Sequence, residues 1–341
     1  MRFGYGLITC QRPPYDDRSD ADLYEQAVEL AVEAERLGFD SVWLTEHHFV
    51  DDGYMPSLMA LAAAMAVRTE RIEIGTGLLL APLHDPIRLA EDAATVDLLS
   101  RGRLLLGLGM GWREEEFEGL EIPIEERRQR LIDAVAILRQ AWGDGVVMGT
   151  KRHPRTGVSV WPKPPRPGGP PIWIGAHAER AVRRAGRIAD GFMAGTGSAA
   201  EFAERVAWVR EEVASRETPP ARYEVSIYQS TFAWDDGEAW PLVRDALHYL
   251  DWKYEDMTDA RGRTGPAPAP PPLTPEIDAA LRQDMVVGTP EQVAEAIRAY
   301  RDAAGGDLHY IAQLYWPGMP YEQQREAMRV FAERVMPLLR A

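Results

Sequence analysis

The sequence predicts an α/β protein of the (β/α)8 TIM-barrel type, one domain over 1–341 with insertion loops. Three observations lead there. Short apolar runs alternate with amphipathic stretches along all 341 residues. The runs are apolar at successive positions, as in strands buried on both faces of a parallel sheet. Eight such runs can be placed, which favours a closed barrel over an open, doubly wound sheet. No glycine fingerprint of a dinucleotide-binding turn follows the first run, which weighs further against the open sheet.

The elements follow in order. "FGYGLIT" (3–9) is strand one. The stretch 22–38 repeats apolar residues at helical spacing and ends on Gly38, a suitable helix cap. "SVWLT" (41–45) is strand two, and a helix over 57–69 follows Pro56. "RIEIGTGLLL" (71–80) is strand three. The helix over 85–100 takes Asp85 as its N-cap and Pro86 at its first position. "RLLLGLG" (103–109) is strand four, with a helix at about 125–142. "PIWIG" (171–175), "DGFMAG" (190–195), "YEVSIYQSTF" (223–232) and "DLHYIAQLY" (307–315) complete the eight strands. Their helices are expected at about 177–188, 199–215, 238–256 and 321–339. Two Pro/Gly-rich insertions interrupt the rhythm, 143–171 and 259–275, and the second is a candidate lid.

Charge and composition exclude several functions. A formal net charge of −15 argues against nucleic acid and against anionic membrane surfaces as partners. The basic stretch "KRHPR" (151–155) reads as a solvated loop. The one cysteine, Cys10, rules out a disulfide framework and a cysteine-based zinc site, and fits a reducing cytoplasm. "MRFGYGLITC" lacks the long apolar run of a signal peptide, and the apolar stretch 55–67 is too short to span a membrane. The helix at 57–67 is apolar nearly all round, so either another part of the chain covers its outer side or a second subunit does, and a homodimer contact is the favoured reading.

In a barrel, chemistry gathers where strands end at their C-terminal face. The candidates are Thr9 and Cys10; Glu46, His47 and His48; residues 76–80; 109–112; 175–178; and 195–197. A metal is not expected. Neighbouring strand residues face opposite ways, so at most two of Glu46, His47 and His48 converge. His84 is the one further histidine near them in the pattern. No strand end offers a serine or cysteine in a nucleophile elbow, and Cys10 reads as a packed filler. "PIWIGAHAERAVRRAG" runs from a strand directly into a helix, whose free N–H groups suit a phosphate. The glycines of "GTGLLLAP" and "GLGMGW" let backbone approach a flat ring, with Leu78, Leu79 and Leu80 as an apolar wall. Tyr15, Tyr54, Trp112 and Trp234 would add aromatic surface for an apolar organic substrate.

Four segments together resemble the bacterial luciferase-like flavin-dependent monooxygenase family. They are "GFDSVWLTEHHF", "RIEIGTGLLLAPLHDPIRLAEDAATVDLLSRGRLLLGLGMGWREEEF", "PIWIGAHAERAVRRAGRIADG" and "VVGTPEQVAEAIRAYRDAAG". The resemblance implies a barrel that binds reduced FMN or, in some branches, the deazaflavin F420. It implies a catalytic role for His47, by hydrogen bonding and proton transfer beside the flavin ring. It implies a non-proline cis peptide at Gly77–Leu78. The expected cofactor-binding set is Thr76, Gly77, Leu78, Gly109, Met110, Gly175, Ala176, His177 and Ala178.

The chain also departs from luciferase. The reactive cysteine of that subunit falls on Gly109, its phosphate-binding arginine on Met110, and the acidic residue of its phosphate turn on His177. Light emission is therefore not implied, and Arg183 or Arg184 are candidates to help hold the phosphate. The expected function is a two-component monooxygenase acting on a small organic substrate, with reduced FMN from a partner flavin reductase. The alternative is hydride transfer with F420. A flavin-binding barrel without turnover is a third reading, against which the retained His47 argues.

Overall fold

Strand pairing turns the eight apolar runs into a closed parallel ring, in a computed structural model that describes residues 1–263, 267–283 and 285–340. The strands are β1 (Arg2–Ile8), β2 (Ser41–Leu44), β3 (Glu73–Thr76, resumed at Leu79–Leu80) and β4 (Leu104–Gly109). β5 (Ile172–Gly175), β6 (Gly191–Ala194), β7 (Glu224–Ala233) and β8 (His309–Gln313) follow. Each pairs in parallel with the next, and β8 pairs with β1 to close the ring. Closure leaves no exposed edge in the barrel.

The ring interior is filled from below by two indoles. Trp43 of β2 and Trp173 of β5 are buried with ring centroids 5.3 Å apart. Neighbouring strands give them room by carrying glycine: a Cβ on Gly75 would lie 2.3 Å from Trp43 Cε3. Leu7, Leu105, Met193 and Ile311 complete this layer, with Leu78 and Tyr228 packed against it. Beneath the indoles, Ser41 and His309 share a 2.7 Å hydrogen bond, and the Trp43 Nε1–H donates to Ser41 Oγ at 2.7 Å. The polar atoms of this buried layer are thereby largely satisfied.

Helices wrap the ring. They are α1 (Asp20–Arg36), α2 (Leu58–Arg68), α3 (Pro86–Leu99), the short α4 (Glu114–Gly119) and α5 (Arg127–Trp142). Then come α6 (Glu179–Ile188), α7 (Ala199–Ala214), α8 (Trp240–Asp259), α9 (Pro275–Gln283), α10 (Pro290–Ala303) and α11 (Tyr321–Val330). Their starts follow capping chemistry. Ser19 and Asp22 form a capping box on α1, as do Ser198 and Glu201 on α7 and Thr289 and Gln292 on α10. Asp85 caps α3 through the N–H groups of Ile87 and Arg88, with Pro86 at the first position.

Several expectations need correction. Strand three is not continuous: it breaks at Gly77–Leu78, whose peptide bond is cis, as is Gly6–Leu7. The helix expected at 238–256 runs from Trp240 to Asp259, and a further helix, α10, packs against α7 and β7 on the way to β8. The proline-rich 270s hide this, because α9 and a short strand, Val286–Gly288 paired with β7, intervene. The last helix is interrupted by a π-helical turn at Phe331–Val335. The insertion 143–171 holds an antiparallel ribbon, Val147–Gly149 with Pro154–Val158; of "KRHPR", Lys151 to His153 lie in its turn and Pro154 and Arg155 begin the second strand. Part of the candidate lid, 264–266, lies outside the described residues. Among the described residues, no helix is long and apolar enough to cross a membrane.

The closest backbone approach in the ring gives a stability test. A Cβ on Gly107 would lie 2.0 Å from the Thr76 carbonyl oxygen, and that backbone is fixed by the sheet. Gly107→Ala is expected to lower unfolding stability by about 2–3 kcal/mol in urea titration. Gly145→Ala, at a position with nothing within 4 Å, is the neutral control.

Candidate active site at the barrel mouth

The tripeptide after β2 divides its side chains between two faces, as strand geometry requires. His47 takes one face and Glu46 with His48 the other. The His47 Nδ1–H donates to Glu116 Oε1 at 2.8 Å, and the His48 backbone N–H donates to the same oxygen at 2.9 Å. Glu116 sits on α4 and is fully buried; its other oxygen, Oε2, has no partner. One carboxyl oxygen thus takes two N–H donors and holds both in place. In the neutral ring this contact selects the tautomer with the proton on Nδ1, which leaves the lone pair on Nε2. Among the described residues, Nε2 makes no hydrogen bond.

Three aromatic rings enclose that imidazole. Tyr54 stands edge-on to it at 4.8 Å, Tyr254 at 5.7 Å and Trp112 at 5.9 Å between centroids. His47 is only 6% exposed as a result. Tyr54 Oη lies 2.7 Å from Thr45 Oγ1 and 3.1 Å from Tyr254 Oη, so the two phenols and the threonine form one chain. Burial raises the pKa of Tyr54, which keeps it a neutral donor.

Tyr254 is delivered by α8, which lies across the mouth and is pinned to the β2 loop. Lys253, itself buried, pairs with Asp51 and, at 3.1 Å, with Asp256. The Tyr249 hydroxyl donates to Asp52 at 2.8 Å. Arg261, just past α8, pairs with Glu114 and Glu118 of α4. Of the other aromatics expected at the site, Tyr15 packs on Tyr249, 6.0 Å between centroids, and Trp234 stacks on Phe232 in a separate cluster under α8. Neither touches His47.

The expected cofactor residues line up across the ring of strand ends. The Thr76 hydroxyl is spent on the Gly107 carbonyl at 2.7 Å and does not face the mouth. Gly77 lies against Leu7 and Trp43. Leu78 spans the opening: a Cβ on Gly109 would lie 3.1 Å from its Cβ, and one on Gly175 only 2.1 Å from its Cδ1. Leu78 is thus the floor of the mouth. Met110 is half-buried, and Arg184 of α6 reaches its Sδ at 3.9 Å. Ala176 is buried, while His177 and Ala178 are exposed. The His177 ring lies over Gly195, and its partial enclosure, with Arg205 nearby, lowers its pKa.

Ala178 is the N-cap of α6 and offers no side-chain cap. The N–H groups of Ala178, Glu179 and Arg180 have no acceptor among the described residues. Arg183 is engaged with Glu179, Glu211 and Glu212 on the outer face. Arg184 is different: its Nε is buried without a partner. Burial and the like charges of Arg128 and Arg187 lower its pKa.

On the other face of β2, Glu46 is buried and its Oε1 accepts from His48 Nε2 at 2.7 Å and from His84 Nε2 at 2.9 Å. Its Oε2 accepts from the Leu80 N–H at 2.8 Å. As expected from alternation, only two members of the tripeptide converge; His84, from the turn after β3, supplies the third group. Glu116 and Tyr254 were not singled out in the sequence. "REEEF" holds three adjacent glutamates with nothing local to distinguish them, and Tyr254 lies far along the chain in an amphipathic helix.

The comparisons agree with this architecture. A family model described as luciferase-like monooxygenase matches residues 1–307. An F420-dependent glucose-6-phosphate dehydrogenase of Rhodococcus erythropolis is 28% identical, over 93% of this chain and 94% of its own length. The oxygenase component of a flavin-dependent trigonelline monooxygenase of Acinetobacter baylyi is 26% identical, over 99% and 95%. The crystal structure of the monooxygenase RslO1 of Streptomyces bottropensis superposes with a TM-score of 0.80 at 27% identity, covering 99% of each chain.

The buried Glu46 carboxylate makes acid stability measurable. Burial would raise its pKa, but hydrogen bonds from His48 and His84, the His84 charge and the Leu80 N–H outweigh it and hold it at about 2, against 4.5 when free. A depressed folded pKa gives stability that is complete above the free value and is lost as pH falls toward the folded one. Between pH 4.5 and 2 this group is expected to cost the protein on the order of 2–3 kcal/mol. Urea unfolding across that window should show a shallower pH slope for Glu46→Gln.

Proposed function

We propose, for a chain that belongs to the luciferase-like monooxygenase family, that it is an oxidoreductase that oxygenates a small organic substrate with reduced FMN and O2. It would act as the oxygenase of a two-component system, with a flavin reductase as its partner. One observation carries this reading: the buried His47–Glu116 pair, joined through Nδ1, with Nε2 unbonded among the described residues. Bound reduced FMN supplies the electrons that activate oxygen.

The residues at the mouth fit such a group. Leu78, flanked by Gly109 and Gly175, offers a flat apolar floor. The uncapped start of α6 and the orphaned Arg184 Nε offer donors for a phosphate. The remaining steps belong to the chain. Nε2 of His47 accepts a proton from the reacting groups and returns it. Glu116 stabilises the imidazolium while that proton is held. Tyr54, with Trp112 and Tyr254 beside it, shields the His47 ring from water, and α8 acts as the lid. The outward apolar face of α2, with Ala60 and Val67, would take a second copy of the chain in a homodimer.

A second reading has its own observation. Arg128, Arg180, Arg183, Arg184 and Arg187 line a cleft of about 480 Å³ beside the start of α6. Arg128, Arg180 and Arg184 make no ion pair among the described residues. That is more positive charge than one phosphate needs, and it suits F420, whose tail carries a phosphate and further carboxylates. On this reading the same His47 serves a hydride transfer with no oxygen step, and the F420-dependent relative supports it.

Titration of the full-length chain with FMN, reduced FMN and F420, followed by fluorescence, separates the two. Reduced FMN is expected to bind; binding of F420 with none of reduced FMN would overturn the monooxygenase. His47→Ala is expected to lower turnover at least about 100-fold with little change in cofactor affinity. Unchanged turnover would remove His47 from the chemistry.

A further inference from the structure

We propose that Glu46, His48 and His84 bind a divalent first-row transition ion that takes imidazole and carboxylate together, such as Zn2+, Co2+ or Ni2+. Their ligand atoms, one carboxylate oxygen and two Nε2, all lie within 4.8 Å of one another. The expectation that no metal binds rested on the scarcity of ligands from other strand ends, with His84 the one candidate histidine nearby. The turn after β3 supplies the missing one.

The donor set selects the ion. Two imidazoles favour ions such as zinc, cobalt and nickel over magnesium or calcium, which prefer oxygen. There is no sulfur ligand to draw the softer ions. The carboxylate is oriented from behind: the Leu80 N–H holds Oε2, so Oε1 faces both rings. Such outer contacts fix the ligands of metal centres before the ion arrives. An ion there replaces the two Nε2 protons that now point at Oε1. A neutral ring moves that proton to Nδ1, and an imidazolium at His84, which Glu46 favours, releases one proton to solvent as the ion binds.

Access differs between the ligands in the sense an open site requires. Glu46 is 1% exposed, while the side chains of His48 and His84 are 17% and 32% exposed. Solvent reaches the imidazole side, where water completes the shell. The ion would tie the end of β2 to the turn after β3, on the opposite face from the His47 ring. It is therefore a clamp on the loop that carries His47 and does not depend on which cofactor fills the mouth.

The probe is CoCl2, added to chelator-treated full-length protein and followed by visible d–d absorption, with Zn2+ as competitor. One Co2+ per chain is expected, displaced by Zn2+. His84→Ala should weaken the affinity at least about tenfold, with an unchanged circular dichroism spectrum. His48→Gln should do the same, which keeps the test intact if one variant folds poorly. His153→Gln, which removes an unrelated histidine paired with Asp133, should leave binding as it is. No absorption band, or equal affinity in wild type, His84→Ala and His48→Gln, would overturn the site.

Discussion

A ring of eight parallel strands encloses a space of fixed width, and that space must be filled without clash. Here Trp43 and Trp173 fill the lower part, and glycines on the neighbouring strands let them in. The rest of the molecule depends on this packing. The indoles occupy the interior completely enough that the next layer, Leu78, is pushed up to the strand ends. There it meets Gly109 and Gly175 and becomes a flat floor. A barrel packed with smaller side chains would let that floor sink, and the mouth would lose its shape.

Above the floor, two buried carboxylates organise one tripeptide. Glu116 comes from α4 and holds His47 by its side chain and His48 by its backbone. Glu46 lies within the tripeptide and gathers His48 and His84 on the other face. Glu46 takes three N–H donors, which offsets the cost of burying its charge, and Glu116 takes two on one oxygen. The outcome is an imidazole with one nitrogen occupied and one free, enclosed by aromatic rings. Proton transfer needs that asymmetry, whether the electrons arrive as reduced FMN or as a hydride donor.

The mouth is roofed by chain that the barrel itself does not need. α8 follows β7 and crosses the opening, held by Lys253, Tyr249 and Tyr254 to the loop after β2. Its other face packs on an apolar cluster through Trp240, Val243, Ala246 and Leu250, so polar contacts hold it on the site side and apolar ones behind. The excess of arginine along α6 lies to one side of this roof. Cofactor ring and cofactor tail would thus meet different kinds of surface, one apolar and flat, the other open and positive.

Periodicity and local caps are short-range properties, so the sequence by itself determined the eight barrel strands, apart from the break in the third, and the α1, α3 and α6 positions. The "EHH" motif and the glycine pairs marked the strand ends for the same reason, since alternation is a local rule. Tertiary structure decided the partners. Glu116 lies 69 residues from His47, and Tyr254 lies 200 from Tyr54; only closure of the ring brings them together. Nothing in "REEEF" separates Glu116 from its neighbours, because α4 turns one glutamate inward and leaves the others outside. Likewise His84 reaches Glu46 through a short turn after a broken strand, and Thr76 turns away to a backbone carbonyl. Which way a side chain points after a strand breaks is set by packing against distant residues, and local spacing carries no record of it.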